Sequence, residues 1–159
     1  MISFDLPAIQ KISENTIAKV LGIEIVEVAQ GRVVGTMPVD KRTHQPLGLL
    51  HGGASMTLAE TLASLGGWYL VAAEGKVVVG QEINANHMRS VKSGKVTGVA
   101  EVLHAGKTSQ VWEIKITDEN KKLICVSRCT LAVVTTEGHG VSSPEEVVEA
   151  LSGNHKRKE

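Results

Sequence analysis

The chain is poor in aromatic residues and has no excess charge of either sign. Only 3% of its 159 residues are aromatic, and 17 Lys and Arg residues balance 17 Asp and Glu residues. A surface for nucleic acid or for an anionic membrane would need an excess of basic residues, and base stacking would need more aromatic rings. The composition therefore argues against nucleic acid and membrane as partners.

Cysteines and long apolar runs are also scarce. Cys125 and Cys129 lie four residues apart, which in a strand is about 13 Å at ~3.3 Å per residue, too far for a disulfide between them. The first 20 residues lack the apolar core of a signal peptide, and the run from Trp68 to Ala73 is too short to span a membrane. We therefore expect a cytoplasmic, single-domain protein, since ~100–200 residues are typical of one domain.

The spacing of apolar residues predicts an α+β fold. Residues 8–20 have the pattern of a short amphipathic helix, and residues 52–73 have that of one long helix. The strand-like segments are residues 23–29, 32–39, 76–89, 95–103, 110–117 and 122–134. The first two predict a hairpin around Gln30-Gly31. The last four follow the long helix with short connections, which predicts that consecutive strands are antiparallel neighbours.

This pattern divides the chain into three parts. Residues 1–20 form an N-terminal helical segment, residues 21–135 form the main domain, and residues 136–159 form a tail. A short helix from Pro144 to Leu151 fits the tail, because Pro and acidic residues suit a first helical turn. The basic end is interpreted as a frayed terminus, with a partner contact as the alternative.

The long helix carries one acidic residue in an apolar setting. Between Thr43 and Ala73, Glu60 is the sole charged residue when His is counted as neutral. A helix that is apolar on all sides is buried, and a buried carboxylate is costly unless it is paired or neutralised. Glu60 is therefore either the partner of a distant Lys or Arg or a functional carboxylate.

The start of this helix is rich in glycine. Gly52 and Gly53 would let a ligand approach free backbone N–H groups, which together with the helix dipole suit a developing oxyanion. Close packing of helix on sheet is the alternative reason for the pair. His51 alone is more typical of a hydrogen-bonded structural histidine than of a base.

The distance between these groups has a consequence for assembly. Gly52 and Glu60 are eight residues apart, which is about 12 Å along a helix at ~1.5 Å per residue. Groups that act on one bond must lie within hydrogen-bond reach of it or act through one water. If both act together, they come from two antiparallel copies of the helix, and the site lies at a subunit interface. Ser64 is one turn beyond Glu60, where it could hold a water or the acyl group, or be an ordinary small helix residue.

Three motifs, in order, resemble a known family. Residues 45–64 (QPLGLLHGGASMTLAETLAS), 80–89 (GQEINANHMR) and 103–112 (LHAGKTSQVW) resemble the hotdog-fold acyl-CoA thioesterases of the phenylacetate-pathway type. Within them, the 1,4-dihydroxy-2-naphthoyl-CoA thioesterases of menaquinone synthesis and the enterobactin proofreading thioesterases are most similar. The resemblance covers about residues 20–134. It implies a long helix wrapped by an antiparallel sheet, with dimers that join their sheets and usually form tetramers.

The resemblance also implies roles for the helix residues. Glu60 would be the nucleophile or general base, and the Gly52 N–H would polarise the thioester carbonyl from the facing subunit. Gln45 and His51 would orient the thioester or water, and Ser64 would position the water. The reaction would be hydrolysis of an acyl-CoA thioester with an aromatic or small acyl group, without a metal or another cofactor.

A second set of residues is matched to the CoA nucleotide by the same resemblance. These are His87, Arg89, Lys107, Thr108 and Arg128. The Arg and Lys charges suit phosphates, although each basic residue taken alone is more typical of a solvated strand face. Ala105-Gly106-Lys107-Thr108 imitates the end of a P-loop, but the first glycine of that motif would fall at Glu101.

Two other functions remain open from the sequence. An enoyl-thioester hydratase or dehydratase of the same fold usually needs a catalytic His with its acid, and the helix offers no such His. A non-catalytic acyl-CoA binding protein would have little use for an isolated Glu60. The acyl pocket would be lined by Leu47, Met56, Leu65 and Trp68, while Tyr69, like Trp68, could also serve a subunit contact.

Overall fold

The structure, a computed structural model, describes residues 4–136. Helix α1 (Leu6–Ser13) begins at Asp5, whose carboxylate accepts a hydrogen bond from the Ala8 N–H at 2.8 Å. Helix α2 (Ile17–Leu21) ends at Gly22, which adopts φ 71°. The single helix predicted over residues 8–20 is wrong, because Asn15-Thr16 interrupts it with residue types that favour turns and caps.

The remaining elements form one long helix and one sheet. Helix α3 spans Gly52–Val71 and is followed by a 3₁₀ turn over Ala72–Glu74. The strands are β1 Glu24–Ala29, β2 Arg32–Pro38, β3 Lys76–His87, β4 Lys95–Ala105, β5 Ser109–Thr117 and β6 Leu123–Thr135. The predicted α+β class, the long helix and the β1–β2 hairpin are confirmed.

The order of strands differs from the prediction at one place. All pairs in the described sheet are antiparallel, and the order is β1-β2-β4-β5-β6-β3. Strand β3 therefore pairs with β6 at the sheet edge instead of with β4. Residues 88–94 connect the two strands and run past the start of α3, where the Val91 carbonyl accepts from the Leu50 N–H at 2.8 Å. A connection of this length can cross to a distant strand, so shortness alone does not decide the neighbour.

The sheet wraps around α3 through close contacts made at glycines. Gly35 of β2 and Gly98 of β4 are paired across the strands, and the fully buried Leu62 sits between them. A Cβ on either glycine would lie 2.7 Å from a Leu62 methyl carbon. The two glycines thus form a notch that sets how closely α3 approaches the sheet.

A polar bridge ties the second half of α3 to β5. The buried Gln110 amide donates to the Gly67 carbonyl at 3.2 Å and its oxygen accepts from Trp112 Nε1 at 3.0 Å. The predicted inward face of β5 is confirmed, since Trp112, Ile114 and Ile116 are all fully buried. Trp112 is therefore a core residue.

One stripe of α3 stays open to solvent. Half of the helix is buried, whereas Met56, Glu60, Ser64 and Trp68, at helical spacing, are only half-buried. The expectation that the sheet buries the helix on all sides is wrong for a single chain, because the sheet covers one side of the cylinder. The described chain covers this open stripe only in part, so a further protein surface could pack on it.

Other predictions concern the termini and the cysteines. Cys125 and Cys129 are buried and free, as expected. No helix within residues 4–136 is long and apolar enough to cross a membrane. The predicted helix from Pro144 to Leu151 lies outside the described residues, and the three-part division of the chain remains a prediction.

Candidate active site

A cavity of about 330 Å³ opens at the N-terminus of α3. The predicted site residues that line it are Gln45, Gly52, His87 and Arg89. Its other lining residues are Leu49, Leu50, Ser55, Met88, Ser90 and Ile124. The structure therefore brings together four of the predicted site residues, which come from the loop before α3, from α3 itself and from the end of β3.

Most of the first amide groups of α3 have acceptors. The Gly53 N–H donates to Nδ1 of the capping His51 at 2.8 Å. The Ala54 and Ser55 N–H groups donate to the His51 carbonyl at 3.0 and 3.2 Å. Among residues 4–136 the Gly52 N–H has no acceptor, and Gly52 lines the cavity. The helix start thus presents one free backbone donor, with the positive end of the helix dipole behind it.

His51 has a structural role within one chain. Its Nδ1 accepts from Gly53, which fixes the neutral imidazole with the proton on Nε2. The imidazole is exposed and caps α3. The hydrogen-bonded structural interpretation therefore accounts for this residue, and Nε2–H remains as a donor that the Gly53 bond does not use.

Two further side chains are fixed against the helix start. The His87 imidazole packs on Gly52, where an added Cβ would lie 2.7 Å from His87 Nε2. The Gln45 side-chain oxygen accepts a short hydrogen bond from the Leu47 N–H within a tight turn that contains Gly48 at φ 73°. His87 therefore lies beside the proposed oxyanion donor, although its sequence position suggested only the CoA nucleotide.

Glu60 lies in the middle of α3 without a basic partner. No ion pair involves it within the described residues 4–136, so pairing with a distant Lys or Arg is not what holds it. Its carboxylate contacts β3 at Gly80, where an added Cβ would collide with Oε1. Ser64 lies one turn further along the same open stripe. The charge is thus half-buried at the sheet edge.

The charge of Glu60 also affects Cys129, a fully buried residue of β6. Burial, together with the negative charges of Glu60 and Glu82, raises the pKa of the Cys129 thiol to about 12. Burial also raises the pKa of Cys125. The buried thiols therefore stay protonated at neutral pH and are poor nucleophiles, since the thiolate is the reactive form.

The residues matched to the CoA nucleotide do not meet in one chain. His87 and Arg89 lie in the cavity at the start of α3. Lys107 lines a separate cavity of about 190 Å³ at the end of α3, with Val71 and Lys76, and Thr108 adjoins it in the β4–β5 turn. Arg128 lies in a third cavity, of about 260 Å³. The two ends of a 20-residue helix are ~30 Å apart, so one chain cannot place all five on one nucleotide.

The residues expected to line an acyl pocket are also dispersed. None of Leu47, Met56, Leu65 and Trp68 lines the cavity at the start of α3. Leu47 is 81% exposed and Leu65 is part of the core. Trp68 packs edge-on against Phe4, with ring centroids 5.1 Å apart, and Tyr69 contacts Phe4 at the same distance. Phe4 of the N-terminal segment thus contacts both aromatic rings.

Some residues of the site were missed from the sequence. Gly80 stands at the start of the quoted 80–89 motif, yet only the fold shows that it contacts Glu60. Ser55, buried beside the cavity, could have been noticed as a polar residue in the first turn of an apolar helix. Among residues 4–136, no three His, Cys, Asp or Glu side chains converge on a position for a metal ion.

Comparison with known proteins identifies the family of the chain. Residues 47–125 match the sequence profile of the thioesterase superfamily. The chain is 53% identical over 113 residues to the 1,4-dihydroxy-2-naphthoyl-CoA hydrolase of Listeria monocytogenes, a match that covers 71% of this chain and 91% of that one. It is 51% identical over 129 residues to the proofreading thioesterase EntH of Klebsiella pneumoniae, covering 81% and 93% of the two chains. A thioesterase structure from Haemophilus influenzae superposes with a TM-score of 0.82 at 48% identity, covering 88% and 97%.

A free backbone donor and a carboxylate without a basic partner are groups of the kind that acyl-transfer enzymes use. With these relatives, the chain belongs to the thioesterase superfamily and has the hotdog fold. It is a thioester hydrolase, and the resemblance drawn from its motifs is confirmed.

Proposed function

We propose that the protein hydrolyses an aromatic acyl-CoA to the free acid and CoA, with Glu60 as the reacting carboxylate. The observation that carries the proposal is the pair of groups left without partners in the described chain. These are the Gly52 N–H in the cavity and the Glu60 carboxylate on the open stripe of α3. The aromatic acyl group is supported by the relative named for 1,4-dihydroxy-2-naphthoyl-CoA, which also suggests a place in menaquinone synthesis.

In this mechanism the Gly52 N–H donates to the thioester oxygen as it becomes negative. The helix dipole adds to the donor, and a single oxyanion donor is worth about 2.7–4 kcal/mol in the transition state. Glu60 either takes a proton from water as the water attacks the carbonyl carbon, or attacks that carbon itself to form an anhydride that water then opens. In both cases the C–S bond breaks, and the thiolate of CoA leaves and takes up a proton.

The site needs a second copy of the chain. Gly52 and Glu60 are ~12 Å apart along one helix. Strand β3 is an edge strand of the described sheet and pairs with β6 on one side only. Two copies that join at β3 would set their α3 helices antiparallel, with the open stripes facing. The Gly52 N–H of one copy then faces Glu60 of the other, which makes a homodimer the smallest active form; a homotetramer remains the larger assembly expected for this family.

The same antiparallel pairing would bring together some of the basic residues that lie apart in one chain. In an antiparallel pair, the C-terminal end of the partner's α3 lies beside the N-terminal end of α3 in the first copy. Lys107 of the partner copy would then lie at the same end of the dimer as His87 and Arg89, which line the cavity at the start of α3. The nucleotide of CoA would thus contact both subunits. Arg128 would join them only where a further copy brings its cavity near.

Thiol release measured with aroyl-CoA and aliphatic CoA esters tests the proposal. Glu60→Gln keeps the size and removes the charge, so kcat should fall by about 10²–10⁴-fold, the range of general-base catalysis. Glu82→Gln is the matched control, because the charge of Glu82 also raises the pKa of Cys129. Glu82 is exposed and accepts a hydrogen bond from Asn84, so kcat of this variant should stay close to that of the wild type.

Full activity of Glu60→Gln would refute the assignment of Glu60. An absorbance change on enoyl esters without thiol release would instead indicate a hydratase. Tight binding of CoA esters without turnover would indicate a binding protein.

A further inference from the structure

We infer that Gly80 is a positioning residue for Glu60, because the Glu60 carboxylate occupies the space that a side chain at position 80 would fill. The inference rests on the proposed role of Glu60. A Cβ built on Gly80 meets Glu60 Oε1 and, beyond it, the carboxyl carbon at 3.4 Å. Within residues 4–136, and apart from the two adjoining residues, no other group lies within 4 Å of that Cβ. Gly80 therefore contacts the carboxylate and little else.

A β-bulge directs Gly80 at the helix. In the pairing of β3 with β6, Gly80 is opposite Leu131, Glu82 is opposite Thr130, and the register shifts between them. Gln81 is the extra residue. Leu131 and Cys129 are both fully buried on the α3 side of the sheet. Their partners on β3, Gly80 before the bulge and Ile83 after it, therefore both face α3. Bulges commonly occur beside active sites, where they re-aim side chains.

The backbone of Gly80 does not itself require glycine. Its φ is not among the positive φ values, which within residues 4–136 occur at five other glycines and at Lys121. An alanine could therefore adopt the same conformation without strain. What excludes a side chain is the close approach of Glu60, and glycine inside a strand often marks such an approach.

This arrangement predicts a selective effect of Gly80→Ala. The colliding atom is the far end of a flexible side chain, so the carboxylate can rotate away at little cost to folding. A displaced reacting group is costly for catalysis, since a misplacement of ~1 Å can lower a rate ~10²-fold. We expect kcat to fall about 10²-fold, with KM within about threefold and Tm near that of the wild type.

The experiment combines kinetics with a direct observation of the carboxylate. The ¹³C chemical shift of the Glu60 carboxyl carbon, assigned by its loss in Glu60→Gln, should move in Gly80→Ala. Val79→Ala, on the opposite face of the same strand and 38% exposed, is the matched control and should move neither the shift nor kcat. Light scattering checks that both variants keep the oligomeric state of the wild type.

A shorter acid supplies the rescue. Glu60→Asp withdraws the carboxylate by one methylene, so it lowers kcat by itself but leaves room for a methyl group at position 80. Adding Gly80→Ala in this background should then cost less than threefold, a non-additivity expected of groups in contact. An equal loss in both backgrounds would overturn the contact.

The two proposals fail in different ways. An unmoved carboxyl shift in Gly80→Ala, or a moved shift with unchanged kcat, overturns the role of Gly80 while Glu60→Gln remains inactive. Full activity of Glu60→Gln overturns the proposed function, and the positioning role falls with it.

Discussion

Leu62→Ala tests how α3 is held against the sheet. Leu62 is fully buried, and its two methyl groups fill the notch between Gly35 and Gly98. Leu→Ala changes in cores cost about 2.7–5.0 kcal/mol, and the cost rises with the cavity that remains. The walls of this notch are paired backbone, which cannot collapse as side chains can. We therefore expect a loss in the upper part of that range, about 4 kcal/mol of the free energy of unfolding.

The assay is unfolding by guanidinium chloride at a fixed protein concentration, followed by circular dichroism. In thermal unfolding the same loss should lower Tm by about 8–16 °C, at ~2–4 °C per kcal/mol for a chain of this size. Leu103→Ala makes the same chemical change at a site that is 56% exposed, and it should change stability by less than ~0.5 kcal/mol. A loss below ~1.5 kcal/mol for Leu62→Ala would refute the rigid notch.

A double variant sharpens the same test. Gly98→Ala places a Cβ 2.7 Å from one Leu62 methyl carbon and 3.3 Å from one of Leu58, and overpacking of this kind costs about 1–3 kcal/mol. In the Leu62→Ala background the added methyl group enters vacated space. The double variant should therefore be more stable than the sum of the single losses predicts, and strict additivity would contradict the contact.

Two further predictions concern buried polar groups. Gln110→Leu removes the acceptor of the buried Trp112 indole N–H and the side-chain donor to the Gly67 carbonyl, which still accepts within α3. The change should cost about 1–3 kcal/mol in chemical denaturation, the cost of one buried unsatisfied group; a loss below ~0.5 kcal/mol would contradict the bridge. The raised pKa of Cys129, about 12 in the folded chain, means that the unfolded chain loses this proton first. Stability should thus be fully present below ~pH 8.5 and fall as pH rises from there toward 12, with a shallower fall in Cys129→Ala as measured by urea midpoints.

Local patterns explain why much of the fold was predictable. The inward face of β5 followed from alternation, and Trp112, Ile114 and Ile116 are buried as that period requires. The glycine pair after His51 predicted where α3 begins, and in the structure His51 is the residue that caps the helix. These features depend on neighbours in the chain, whose spacing in a helix or strand is constant. The family also followed from motifs that are short and contiguous.

Long-range contacts decided what the patterns left open. The placement of β3 beside β6 depends on the path of residues 88–94, which no local period describes. The contact of His87 with Gly52 and that of Gly80 with Glu60 join segments that are far apart in sequence.

By itself, the amino-acid sequence determined the class of fold, the family and the acidic residue of α3, because these reside in local spacing and in residue type. Only the tertiary structure decided which amide at the start of α3 is free, which face of the helix stays open, and what surrounds Glu60. The physical reason is that a hydrogen-bond partner, a collision or an exposed stripe exists only once distant segments of the chain occupy the same space.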